Sequence, residues 1–198
     1  MEATQKRFRD RANRAKRGLM REKAQYGSIS DGSGKRYRAC VYFVLSGDPK
    51  KAADFVDWFE REFPDDVGEP AFLLFSALAY RRTSNSEKSR EYLLDTMLSN
   101  IYLLPYLYSE PLPKQDIWHP SNRHQPDYIW EIEQFLDEPT SEERSWFRDE
   151  FNSPLFVDIR EQFISTYRAL NKEHEFEKRG AILRKWYQYS ARRRARET

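Results

Sequence analysis

The sequence predicts an all-α protein, on three observations. Apolar residues recur at steps of three and four along most of the chain, the period of one helix face. Prolines and capping side chains stand where those segments begin. No segment combines period-two alternation with turn chemistry, and 7 glycines in 198 residues disfavour a turn-rich β fold. The expected architecture is a set of stacked antiparallel helix pairs, an α-solenoid fragment, with a long ordered connector and C-terminal helices.

In chain order, residues 3–25 read as a basic helix with a thin apolar stripe of Phe8, Ala12, Ala15 and Leu19. YGSISDGSG at 26–34 concentrates Gly and Ser and reads as a flexible linker, so 1–33 is expected to stand apart from the core as a basic arm. Tyr37, Cys40, Val41, Val44 and Leu45 share a helical face that stops at Gly47. Asp48-Pro49 is a capping acid followed by a first-turn proline, and Ala52, Phe55, Val56 and Phe59 follow at helical spacing. Glu69-Pro70 opens the next helix, apolar from Phe72 to Tyr80. Ser84 with Glu87 forms a capping box ahead of Tyr92, Leu93 and Leu98.

Two helix pairs result, about 34–67 and 68–103, each near 34 residues. Gly47-Asp48, Ala52, Phe59 and Pro64 in the first, and Ala77 and Tyr80 in the second, resemble the turn, small, aromatic and proline positions of the tetratricopeptide repeat. Ser89 stands where that pattern has Ala, and no proline directly ends the second pair. Asn100 through Leu107 is similar to the segment that closes some arrays of this kind. The resemblance covers about a third of the chain. It implies a groove lined by the first helix of each pair, with Arg38, Tyr42, Arg81 and Arg82 as partner-contacting candidates.

Residues 104–127 hold five of the ten prolines (Pro105, Pro111, Pro113, Pro120, Pro126), which disfavour a continuing helix. With Tyr102, Tyr106, Tyr108, Trp118 and Tyr128 as anchors, this stretch reads as a packed connector between two helical blocks. Helical signals then resume. Tyr128, Ile129, Ile132, Phe135 and Leu136 share a face, Thr140 and Glu143 make a capping box, and Ser153-Pro154 opens the most regular helix, running from Leu155 to Leu170. A last helix carries Ile182, Leu183, Trp186 and Tyr187.

The net charge of +2 conceals segregation. Residues 1–38 carry 12 basic against 4 acidic residues and 178–198 carry 8 against 1, leaving 14 basic and 27 acidic in 39–177. An acidic helical body, 34–177, therefore lies between a basic arm and a basic C-terminal segment. Lys6, Arg7, Arg9, Arg11, Arg14, Lys16, Arg17, Arg192, Arg193, Arg194 and Arg196 could track phosphates by counterion release, with Trp186, Tyr187 and Tyr189 for base stacking. The same clusters suit a localisation signal, solvated tails, or docking onto the acidic body.

Catalytic patterns are weaker. His119 and His124, with Asp116 and Asp127 nearby, could hold zinc or iron for a helical hydrolase, or could pack and cap. His174 in NKEHEFEK reads as part of a charged helix face, and Glu142-Glu143 and Asp149-Glu150 as surface charges. GSGKR at 32–36 lacks the P-loop pattern. Cys40, on an apolar stripe, reads as a small buried hydrophobe. No cofactor is implied. A single cysteine and the lack of an apolar leader or of a run of about 18 apolar residues point to an intracellular chain without membrane contact. The reading that follows is a non-catalytic interaction module for another protein or peptide, with nucleic-acid association through the basic ends as the alternative.

Overall fold

A computed structural model describes residues 2–32 and 34–195, which are helical with no strand among them. The helices are α1 (Glu2–Tyr26), α2 (Lys35–Leu45), α3 (Pro49–Glu62), α4 (Pro70–Arg82), α5 (Ser86–Ser99), α6 (Leu103–Leu107), α7 (Tyr128–Ile132), α8 (Ser141–Phe151), α9 (Pro154–Lys172) and α10 (Phe176–Arg194). Short 3-10 turns cover Asn122–His124 and Glu133–Phe135. The chain divides into two compact units: Met1–Thr96 with Gln134–Pro139, and Met97–Glu133 with Thr140–Thr198. The division falls inside α5, after Thr96, so the proline-rich connector belongs wholly to the second unit.

In the first unit α2 packs on both α3 and α4, and α3 packs on α4. α4 is buried all round from Pro70 to Tyr80, as a helix enclosed by neighbours must be. Phe43, Phe55, Phe72 and Phe75 are almost fully buried, with Phe59 and Phe72 centroids 4.5 Å apart. Asp48 accepts from the Lys51 amide at 3.1 Å beside Pro49, the helix start read from sequence. Gly47, at φ 75°, supplies the left-handed turn that ends α2.

Three expectations change here. The basic arm does not stand apart: α1 packs along α2, with Ala12 and Leu19 fully buried and Phe8 stacked on Tyr42. A thin apolar stripe suffices because α2 packs along it. Nor does the linker simply hang free: buried Asp31 within it accepts the Lys35 and Arg36 amides at 2.9 and 2.8 Å. Those amides are among the donors that a helix start leaves without intrahelical partners. The capping box expected of Ser84 and Glu87 is also replaced by a single cap one residue later. Asn85 accepts the Lys88 amide at 3.1 Å, while Ser84 turns the chain at φ 64°.

In the second unit the Thr140–Glu143 capping box is present in both directions, at 3.2 and 2.8 Å. Pro154 opens α9, whose buried face of Leu155, Phe156, Ile159, Phe163, Tyr167 and Leu170 follows the sequence period. α10 packs on α9. The Arg179 guanidinium closes the end of α9 by donating to the Leu170 and Glu173 carbonyls.

The connector is held by polar bonds as well as rings. Buried Asn100 donates to the Arg123 and Gln125 carbonyls at 2.9 and 3.0 Å and accepts the Tyr102 amide at 3.0 Å. Trp118 lies on Tyr167 with centroids 5.9 Å apart, and its amide donates to the Tyr167 carbonyl. A loop without regular structure needs such partners for its backbone when it packs against a core.

Candidate binding surfaces

α1 positions the basic residues of the N-terminus. At 3.6 residues per turn, burial of Ala12 and Leu19 turns Lys6, Arg7, Arg14, Arg17 and Arg21 to the opposite side, where all five are exposed. None of the five makes a hydrogen bond or ion pair among the described residues. Asp10 is the one acidic side chain on that face among the described residues. Lys6, Arg7, Asp10, Arg11 and Arg14 border an open cavity of about 380 Å³. Arg9 is exposed, Lys16 is half-buried, and the Arg11 guanidinium lies 5.9 Å from the Tyr42 ring centroid. Arg21 was not among the residues singled out from sequence. The seven-residue spacing of Arg7, Arg14 and Arg21 is the signal that could have found it.

The partner candidates on α2 and α4 are less open than the repeat resemblance implies. Arg38 is exposed, but Tyr42 lies under Phe8 and meets the Phe135 ring edge-on at 6.4 Å. Arg82 pairs with Glu138 at 2.8 Å, and Arg81 is half-buried. The chain itself therefore occupies part of that face.

Beside it lies a polar cluster that sequence reasoning missed. Lys88 reaches Asp57 and Glu60 at 2.8 Å each; Tyr80 donates to Asp57 at 2.7 Å and Tyr92 to Glu60 at 2.9 Å. Desolvation, then the hydrogen bonds to carboxylates, push both tyrosines far above their ordinary range. They serve as neutral donors that tie α3, α4 and α5 together. No local pattern announces the cluster, since its members come from three helices.

The histidines of the connector do come together. His119 Nδ1 lies 2.9 Å from the His124 carbonyl, and His124 Nδ1 lies 2.6 Å from Ser121 Oγ. Burial, and then the neighbouring His119, hold His124 below the ordinary imidazole range. His119 Nε2 is buried without a partner beside a void of about 10 Å³. Asp116 instead accepts from Asn171 at 2.8 Å, and Asp127 is exposed at the start of α7. Among the described residues no group of three or more His, Cys, Asp or Glu is placed to hold a metal ion. His174 sits in the turn between α9 and α10 rather than on a helix face, because the chain is non-helical at 173–175. Glu143 is buried in its capping box. Cys40 is buried 3.7 Å from Ser76 Oγ, and burial pushes its thiol up to about 12.

At the C-terminus the aromatic residues separate. Trp186 is buried, edge-on to Phe163 at 5.6 Å, and Tyr189 stacks on Trp186, so neither presents a free ring to a base. Tyr187 is 62% exposed. With Phe176, 88% exposed, and half-buried Leu183 it forms an apolar stripe along one side of α10, next to the buried side that carries Trp186 and Ser190. Arg184, Lys185 and Arg192 are exposed on the same helix, Arg194 is half-buried, and Arg193 is paired with Asp158. Arg196 lies outside the described residues.

These elements define the class: an all-helical protein with paired antiparallel helices, a cationic N-terminal face and an apolar, basic-flanked C-terminal face. No helix of the described residues is long and apolar enough to cross a membrane. Comparison with protein families, with curated proteins and with solved structures finds no match in any of the three.

Proposed function

We propose that this chain is a non-catalytic helical interaction module of tetratricopeptide-like build, which binds another protein through α10. The α2/α3 hairpin, with α4 packed on both of its helices, supports the repeat-like build. The observation that carries the binding reading is the stripe of Phe176, Leu183 and Tyr187, two of them large and strongly exposed. Described residues 178–195 contain no acidic side chain, so the occupant is an amphipathic helix or peptide with acidic flanks. The test is a nuclease-treated pull-down at elevated salt with the intact chain and with Phe176→Asp/Tyr187→Asp. One partner bound by the former and lost from the folded variant supports the reading. Recovery of nucleic acid alone, or of the same partner by both proteins, overturns it.

A second reading, association with nucleic acid through the arginine-rich ends, is favoured by the unpaired cations of α1. Because α1 is built into the first unit, deleting it would damage packing. Charge-removing substitutions test this reading cleanly: binding that falls steeply with salt and is lost on their introduction supports it.

A further inference from the structure

We infer that the outer face of α1 is a binding surface for the phosphate backbone of duplex nucleic acid, read without regard to sequence. The inference rests on the second reading above and specifies its ligand. Lys6, Arg7, Arg14, Arg17 and Arg21 share one exposed face, and none forms an ion pair with a carboxylate of the chain among the described residues. At about 1.5 Å rise per residue, Arg7, Arg14 and Arg21 stand about 10 Å apart, and Lys6 to Arg21 spans about 22 Å. Burial of Ala12 and Leu19 fixes the helix on α2, so its rotation is set before any ligand arrives.

The form of nucleic acid follows from what the face lacks. Single-strand binders stack successive bases on exposed aromatic rings. The aromatic residues of α1 are Phe8, stacked on Tyr42, and Tyr26, at the last position and on the side of Phe8 rather than of Arg14. The face therefore offers guanidinium forks and an ammonium group, which match phosphate oxygens, and no aromatic ring on which successive bases could stack. A duplex presents about one charge per 1.7 Å of axis, roughly a dozen phosphates along 22 Å, and a single strand about half that. Charge density favours the duplex. Asp10 lies within the cationic face and opposes the phosphates.

The test is fluorescence anisotropy of the full chain with a random-sequence 20-base-pair DNA duplex, its single strand, and anionic vesicles of phosphatidylserine and phosphatidylcholine. The expected result is duplex binding tighter than single-strand binding, with log K against log salt falling at a slope of about −4 to −5. Arg7→Gln/Arg14→Gln/Arg21→Gln should flatten that slope by about 3 while leaving the circular dichroism and melting temperature unchanged. Asp10→Asn should tighten duplex binding several-fold, an effect that a purely structural role for Asp10 would not produce. Tighter, triple-variant-sensitive binding of the single strand would overturn the duplex assignment and leave the nucleic-acid reading standing. Binding of vesicles but not duplex, no binding of either nucleic acid, or binding indifferent to the triple variant would overturn both.

Discussion

Phe8 of α1 lies stacked on Tyr42 of α2, with ring centroids 5.9 Å apart and planes 25° from parallel. The contact joins a helix whose composition suggested a free arm to a residue whose position suggested an open groove. It predicts that α1 stabilises the first unit. Leu19→Ala, at a fully buried position, should cost about 2–5 kcal/mol in chemical denaturation, and Phe8→Ala, at a half-buried one, about 1–2 kcal/mol. Arg14→Gln on the exposed face should stay within about 0.5 kcal/mol of the parent. A Leu19→Ala protein as stable as the parent would show that α1 is not part of the core.

The Lys88 cluster gives a pH-dependent prediction. Burial alone would raise Asp57, but hydrogen bonds from Lys88 and Tyr80 hold it below the usual carboxylate range. Its contribution is thus complete above an unfolded value of about 3.9 and disappears as pH falls through the lower folded value. The side chains of Asp57 and Glu60 are 43% and 40% exposed, so solvent screens the pairs. Lys88→Met should cost about 1 kcal/mol or less at pH 7, shrinking in about 1 M salt. Urea denaturation from pH 7 downward should show the difference between the two proteins constant above about pH 5 and shrinking as the pH falls below about 4.

Adjacent residues on α10 should behave oppositely. Trp186→Ala removes a buried ring from Phe163 and should destabilise the second unit by about 3–5 kcal/mol. Tyr187→Ala removes an exposed ring and should leave stability within about 0.5 kcal/mol. Paired thermal melts decide it. A large loss from Tyr187→Ala would mean that its ring packs within the protein and is no free docking surface.

His124 should make the connector acid-sensitive. Its folded pKa lies below the ordinary imidazole value, chiefly through burial. The stabilisation is therefore complete above an unfolded value of about 6.5 and is lost as pH drops through the folded value. Imidazole resonances followed by NMR should place the His124 midpoint below that of an exposed imidazole. His124→Gln should flatten the melting temperature against pH between about 5 and 7. An ordinary midpoint for His124 would contradict the buried setting.

The helices themselves were legible in the sequence, because each depends on signals a few residues apart. Pro49, Pro70 and Pro154 occupy first turns, Thr140 with Glu143 closes its own box, and the Leu155–Leu170 face keeps its period. The last turn ahead of α5 was misread by one residue because Ser84 and Asn85 are both plausible caps, and backbone geometry chose the second. The candidate surfaces were legible only as lists of charged and aromatic residues. Burial sorted them: Trp186 and Tyr42 turned inward, while Tyr187 and most of the α1 cations turned outward, and exposed Phe176 joined the surface unannounced.

By itself, the sequence determined an all-α chain, the starts of most of its helices and the segregation of positive charge to its two ends, since propensity, capping and composition are local properties. Tertiary structure alone decided that the basic N-terminal helix is docked through Ala12 and Leu19, that Asp31 is buried and caps α2, and that the connector closes on Asn100 within one unit. Those outcomes depend on surfaces brought together from distant parts of the chain. Whether a thin apolar stripe or a polar turn is ordered is settled by the partner it meets.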